Sequence, residues 1–135
     1  MTVRFLLDTD TLIAIIRGRH PKSRDWFDRI QSEAFALSAI SYGELYYGAV
    51  KSQNPVRMLK NLQTLSSVLP VLPVDQKAAS IFGTVRLHLE SQGKMIGLHD
   101  LWIAAHALSL GATVITNNER EFSRVPKLKI DNWLR

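Results

Sequence analysis

Four short, mostly apolar runs, each followed by a stretch of helical period, constrain this 135-residue chain more than anything else in it. Residues 3–7, 34–37, 71–74 and 112–116 are too short for helices and are bounded by polar or turn-forming residues, so they read as buried strands. A helix is expected over 9–17, with Leu12, Ile13, Ile15 and Ile16 apolar, and it is broken by Gly18 and Pro21. Pro21 opens a second helix with Trp26, Phe27 and Ile30 in register. A third covers 41–50, and a fourth runs from Pro55 to about residue 69 with Met58, Leu59, Leu62 and Leu65 on one face. Asp75 suits the cap of a long helix over 76–91 that ends at Gly93. Residues 99–110 are apolar nearly all round, the pattern of a helix covered on several sides, and Gly111 closes it. A last short strand is expected at 127–130. This alternation gives an α/β fold, a mainly parallel sheet of four to five short strands flanked by helices. No repeat or linker interrupts it, so residues 1–135 read as one domain.

Composition narrows the chemistry. The chain has no cysteine, which removes disulfides, thiolate metal sites and a cysteine nucleophile. Its longest apolar runs fall far short of a membrane span, and its opening residues lack the pattern of a signal peptide, so a cytoplasmic protein is expected. Seventeen Lys and Arg against twelve Asp and Glu leave a net charge of +5. A basic surface attracts polyanions, of which RNA and DNA are the usual ones in cytoplasm. The charge is clustered in Arg17, Arg19, Lys22 and Arg24, and again in Arg120, Arg124, Lys127 and Lys129.

In open α/β sheets the active site forms at the carboxyl ends of the strands. Asp8 closes the first strand, Glu44 lies in the helix after the second, Asp100 begins the apolar helix, and Glu121 follows the fourth strand by five residues. Four carboxylates gathered on one edge repel one another and must be protonated or neutralised by cations. Hard oxygen donors suit Mg²⁺ or Mn²⁺, which activate water and stabilise a departing oxyanion in phosphodiester hydrolysis. Each acid also has an innocent reading. Asp8 can cap the first helix, Ser41 and Glu44 can form a capping box, Asp100 suits a helix N-terminus, and Glu121 can face solvent. Of the histidines, His106 reads as a hydrogen-bonded core residue, whereas His99 beside Asp100 reads as lining a site. Tyr42, Tyr46 and Tyr47 fit a core or an interface better than a base-stacking platform. No Gly-rich phosphate loop and no serine nucleophile elbow is present.

The segments MTVRFLLDTDTLIAII, SAISYGELYYGAVKS, IGLHDLWIAAHALSLGA and VITNNEREFSRVPKLKIDNW, in this order, resemble the PIN-domain toxins of VapC type, the ribonuclease halves of bacterial toxin–antitoxin pairs. The resemblance runs from the first strand to Trp133. Carried over position by position, it implies catalytic and metal-binding roles for Asp8, Glu44, Asp100 and Glu121, the fourth acid lying alternatively nearer Asn118 in other PIN domains. It places Thr116 at the polar position ending the last core strand, and it places Asp10 where the family often has Asn. It further implies Mg²⁺ or Mn²⁺ as cofactor, structured RNA as substrate (initiator tRNA in the nearest relatives), a homodimer, and a cognate VapB-type antitoxin.

Two rivals remain at this stage. Asp8-Thr9-Asp10-Thr11-Leu12 is similar to the opening of haloacid-dehalogenase-like phosphatases, but Leu12 breaks that pattern and no later Lys or Gly-Asp motif follows. A binding module that keeps the fold without the activity is the other, and the presence of all four acids argues against it. From the nuclease reading we expect Asp8→Asn and Asp100→Asn to abolish cleavage with folding intact, and Arg17, Arg19 and Arg24 to hold RNA. An apolar surface from Trp26, Phe27, Ile30, Tyr46, Tyr47, Met58, Leu59 and Leu62 is expected to receive the antitoxin.

Overall fold

The computed structural model describes residues 3–17, 21–32 and 34–133. The elements run β1 (Phe5–Leu7), α1 (Thr9–Arg17), α2 (Ser23–Ser32), β2 (Phe35–Ser38), α3 (Ala39–Val50), α4 (Pro55–Val68), β3 (Val71–Leu72), α5 (Gln76–Ser91), α6 (Leu98–Leu110), β4 (Thr113–Ile115), α7 (Glu119–Phe122) and β5 (Ile130–Asp131). The sheet has the order β3-β2-β1-β4-β5 and every pairing is parallel. Chain order therefore runs outward from β1 to one side and then to the other, which makes the gap beyond the carboxyl ends of β1 and β4 the switch point where such sheets bind ligands.

Strand register sorts the core into two layers. Leu6 sits beside Ala36 and Val114, and these face a cluster with Leu101, Ile103, Ala104 and Phe122. Leu7 sits beside Leu37 and Ile115, facing Leu12, Trp26, Ile30, Leu62 and Trp133. Adjacent residues on a strand point to opposite faces, so each strand needs apolar residues at consecutive positions. Helix α6 earns its all-round apolarity by lying against the sheet while the Trp102 ring stacks on Phe82 of α5, centroids 3.8 Å apart. It ends at Gly111, whose φ of 66° is the left-handed conformation that closes a helix, with Ala112 N–H returning to the Ala107 carbonyl.

Several boundaries differ from the sequence reading, each for a local reason. The third strand stops at Leu72 because Pro73 has no N–H to continue the ladder. The last strand starts at Ile130 rather than 127, since Lys127 adopts φ 66° and cannot be extended. Helix α3 begins at Ala39, with Ser38 as its cap through the Ile40 N–H at 3.2 Å. The capping box expected at Ser41 and Glu44 is therefore absent: Ser41 is buried inside the helix, and Glu44 is released for other contacts. Helix α7 was not foreseen.

The expected partner surface also needs correction. Trp26, Ile30 and Leu62 are buried in the second core layer, where Trp26 lies 6.5 Å from the Trp133 ring, so they offer nothing to a partner. Tyr46, Tyr47, Val50, Val56 and Met58 do remain exposed on α3 and α4. Leu59 is half-buried, and the side chain of Phe27 lies outside the described set.

Candidate active site

Asp8 follows β1 at the switch point and is 4% exposed. Its Oδ1 accepts the Thr11 N–H at 2.8 Å and its Oδ2 accepts the Thr116 hydroxyl at 2.5 Å. Thr116 in turn follows β4 and accepts the Asn118 N–H at 2.8 Å. Two strand ends 108 residues apart are thus joined through one carboxylate. The capping reading of Asp8 is correct, and the same residue lines a cavity. Its two charge-assisted hydrogen bonds, each about 1.5–3 kcal/mol, offset the cost of burying the carboxylate.

Helix α6 brings Asp100 into its first turn. Asn118 Nδ2 donates to Asp100 Oδ2 at 3.2 Å and to Glu121 Oε2 at 2.7 Å, so the amide bridges the two acids. Asp100 and Glu121 are also hydrogen-bonded to each other. Burial pushes the Asp100 carboxyl up to about 7, and Glu121 and Asp8 nearby add to the rise. The bond from Asp100 holds Glu121 below the ordinary carboxylate range. The pair therefore holds its proton on Asp100 in preference to Glu121, through the hydrogen bond between them.

A cavity of ≈ 100 Å³ opens between α1, α3 and α6, lined by Asp8, Thr9, Asp10, Glu44, His99 and Asp100. His99 Nε2 lies 3.1 Å from Thr9 Oγ1, and its Nδ1 lies 3.7 Å from Glu44 Oε1. Four carboxylates and one imidazole around so small a volume make a cation the natural occupant. Among the described residues, no three His, Asp or Glu side chains converge as a ready-made cage. Mg²⁺ keeps several waters and takes only one or two direct carboxylates, so the all-oxygen acid set fits it without such a cage.

Residues 5–128 match the PIN domain family. The chain belongs to the VapC ribonucleases of that family. It is 38% identical over 132 residues to ribonuclease VapC2 of Haemophilus influenzae, covering 98% of this chain and 99% of that one. It is 39% identical over 131 residues to the tRNA(fMet)-specific endonuclease VapC of Salmonella typhimurium, covering 97% and 98%. Among solved structures, DNA-bound VapBC from Salmonella typhimurium superposes with a TM-score of 0.91 over 98% of this chain and 99% of that one at 39% identity. VapBC2 from Rickettsia felis bound to a promoter DNA fragment gives 0.89 at 31% identity, over 97% and 99%.

Of the residues singled out in sequence, this VapC-type fold brings Asp8, Asp10, Glu44, His99 and Asp100 to one cavity, with Thr116 and Asn118 directly behind it. Asp10, whose role the sequence left open, lines the cavity from the first turn of α1. Glu121 does not line it; its Oε1 accepts the Gly97 N–H at 3.2 Å and its Oε2 is taken by Asn118. Arg24 is exposed on α2, Arg19 lies outside the described residues, and so does the side chain of Arg17. Sequence reasoning missed Thr9 as the partner of His99. A hydroxyl one residue from two acids was the available signal.

Proposed function

We propose that the chain is a divalent-metal-dependent endoribonuclease, the toxin of a bacterial toxin–antitoxin pair, acting in the cytoplasm on structured RNA. The tRNA(fMet) specificity named for the Salmonella relative suggests initiator tRNA cut in the anticodon region. The observation that carries the reading is the gathering of Asp8, Glu44 and Asp100, from three distant segments, around one cavity at the switch point. Asp8, Asp100 and Glu44 would hold Mg²⁺ or Mn²⁺, with Glu121 the outlying fourth acid. A bound ion would polarise a phosphodiester oxygen and stabilise the leaving oxyanion. The chain's own groups prepare that event. Thr116 and the Thr11 N–H fix the Asp8 carboxylate, Asn118 aligns Asp100, and a bound cation would favour the ionised form of Asp100. Water attacks phosphorus and the bond to the 3′-oxygen breaks, so the products carry 5′-phosphate and 3′-hydroxyl ends. RNA is gathered by the basic stretch that includes Arg17, Arg19 and Arg24, and unpaired loop bases are what a protein can read in it.

The exposed side chains of Tyr46, Tyr47, Val50, Val56 and Met58 supply the apolar face for a VapB-type antitoxin, the partner present in the VapBC neighbours. The resting toxin is taken as a homodimer. The test is cleavage of initiator tRNA by the purified chain with Mg²⁺, with EDTA, and with Asp8→Asn. Loss of cutting in the latter two and linear 5′-phosphate ends support the proposal. Cyclic phosphate ends, or full activity in EDTA, overturn it.

A further inference from the structure

The start of α6 lacks a side-chain cap of its own, because its cap residue is Gly97. What holds it comes from α7. Glu121 Oε1 accepts the Gly97 N–H at 3.2 Å, and Arg124, just past the end of α7, donates from a guanidinium N–H to the Met95 carbonyl at 2.9 Å. Two side chains three residues apart thus grip the backbone on either side of Ile96, which is itself buried. Their own base is firm, since Phe122 and Val125 are both buried in the core layer that α6 covers. The gripped strand of chain needs holding. It leaves α5 through Gly93 at φ 64°, and after the Lys94 N–H bond to the Leu89 carbonyl at 2.9 Å it passes through exposed Lys94 to Met95. Three residues past Gly97 comes Asp100.

We infer that Arg124 is a positioning residue which, with Glu121, clasps the 93–97 loop and so fixes the first turn of α6 and the Asp100 carboxylate against Asp8. Arg124 belongs by sequence to the basic cluster of Arg120, Lys127 and Lys129, where an RNA-contact role is the obvious reading. The structure assigns its guanidinium to the loop instead: it is half-buried, it donates one N–H to a backbone carbonyl, and its charge acts on Glu121. The kinetic part of this inference rests on the nuclease reading above; the structural part does not.

The test compares the full chain with Arg124→Ala, Arg124→Gln and Arg124→Lys by amide hydrogen exchange and by steady-state RNA cleavage. With the clasp open, exchange at 96–101 should speed up by about tenfold in Arg124→Ala, the loss of one charge-assisted hydrogen bond, while the second half of α6 keeps its protection. Cleavage should lose about tenfold in kcat with KM little changed, because a displaced carboxylate spoils the reacting geometry and not RNA capture. Arg124→Lys, which keeps a cationic donor within reach of the carbonyl, should recover part of both effects, and Arg124→Gln should recover less. Unchanged exchange at 96–101 overturns the inference in any variant that folds. So does a rise in KM with a flatter salt dependence, which would make Arg124 an RNA contact. If the parent chain cuts no RNA, the nuclease reading fails and the exchange data alone decide the clasp.

Discussion

Replacing Asp100 with Asn should make the metal-free protein more stable, by an amount that grows as pH rises from about 4 to about 7. In the fold, Asp100 is raised from 3.8 to about 7, chiefly by burial and then by Glu121 and Asp8. Its charged form is thus disfavoured relative to the unfolded chain. The unfolded state releases its proton as pH passes 3.8, whereas the folded state keeps it until about 7. Stability from this group falls through that interval, with the full penalty reached above 7. A rise from 3.8 to about 7 at 1.36 kcal/mol per pH unit is about 4 kcal/mol. Glu121 is lowered by the same hydrogen bond and returns part of it, so the net penalty is smaller than that. An Asn side chain mimics the protonated acid, since its amide can donate to Glu121 while its carbonyl accepts from Asn118. Urea unfolding in EDTA at pH 5 and pH 8 measures the effect. Asp100→Asn should exceed the parent at pH 8 by at most about 4 kcal/mol, and by clearly less at pH 5. Equal stabilisation at both pH values, or none at pH 8, refutes the argument. Mg²⁺ should raise the stability of the parent and not of the variant.

Thr116→Val removes the hydroxyl that Asp8 accepts and that Asn118 N–H donates to, and should lower stability by about 2–3 kcal/mol in denaturant titration. His106, buried with Nδ1 2.8 Å from Ser38 Oγ, is held below its ordinary 6.5, mainly by burial. It therefore contributes stability that is present above pH 6.5 and is lost as pH falls below it; His106→Gln should flatten that stretch of a stability–pH curve, and an unchanged curve would reject the assignment. Gly111→Ala, forced to φ 66°, should cost about 1 kcal/mol in thermal melts without touching cleavage.

The architecture was legible in sequence because strands this short, apolar on both faces, are hard to place except in a covered parallel sheet, and the all-apolar period of α6 required burial. What the sequence could not show was side-chain commitment. Ser41 and Glu44 have capping-box spacing, yet the helix starts earlier at Ser38, whose hydroxyl is also needed by His106, 68 residues away. Trp26, Ile30 and Leu62 looked like surplus surface because the lower layer of core was undercounted; Trp133 draws them inward. Asp8, Glu44 and Asp100 were identifiable because the carboxyl edge of a sheet is where such acids meet. Glu121 was indistinguishable from them in sequence, and only the Gly97 contact sets it apart.

The bond between Thr116 and Asp8 has a bearing on how such an enzyme is made. Its partners are separated by 108 residues, and β1 must pair with β4, which is among the last elements to be synthesised. Translation proceeds from the N-terminus at roughly 5–20 residues per second, so Asp8 waits about 5–20 s before Thr116 exists. During that interval the nascent chain has no switch point, no Asn118 to align Asp100, and no completed acid cluster. On the nuclease reading proposed above, the acid cluster would therefore stay unassembled, and the chain unable to cut RNA, until β4 and Thr116 have been made.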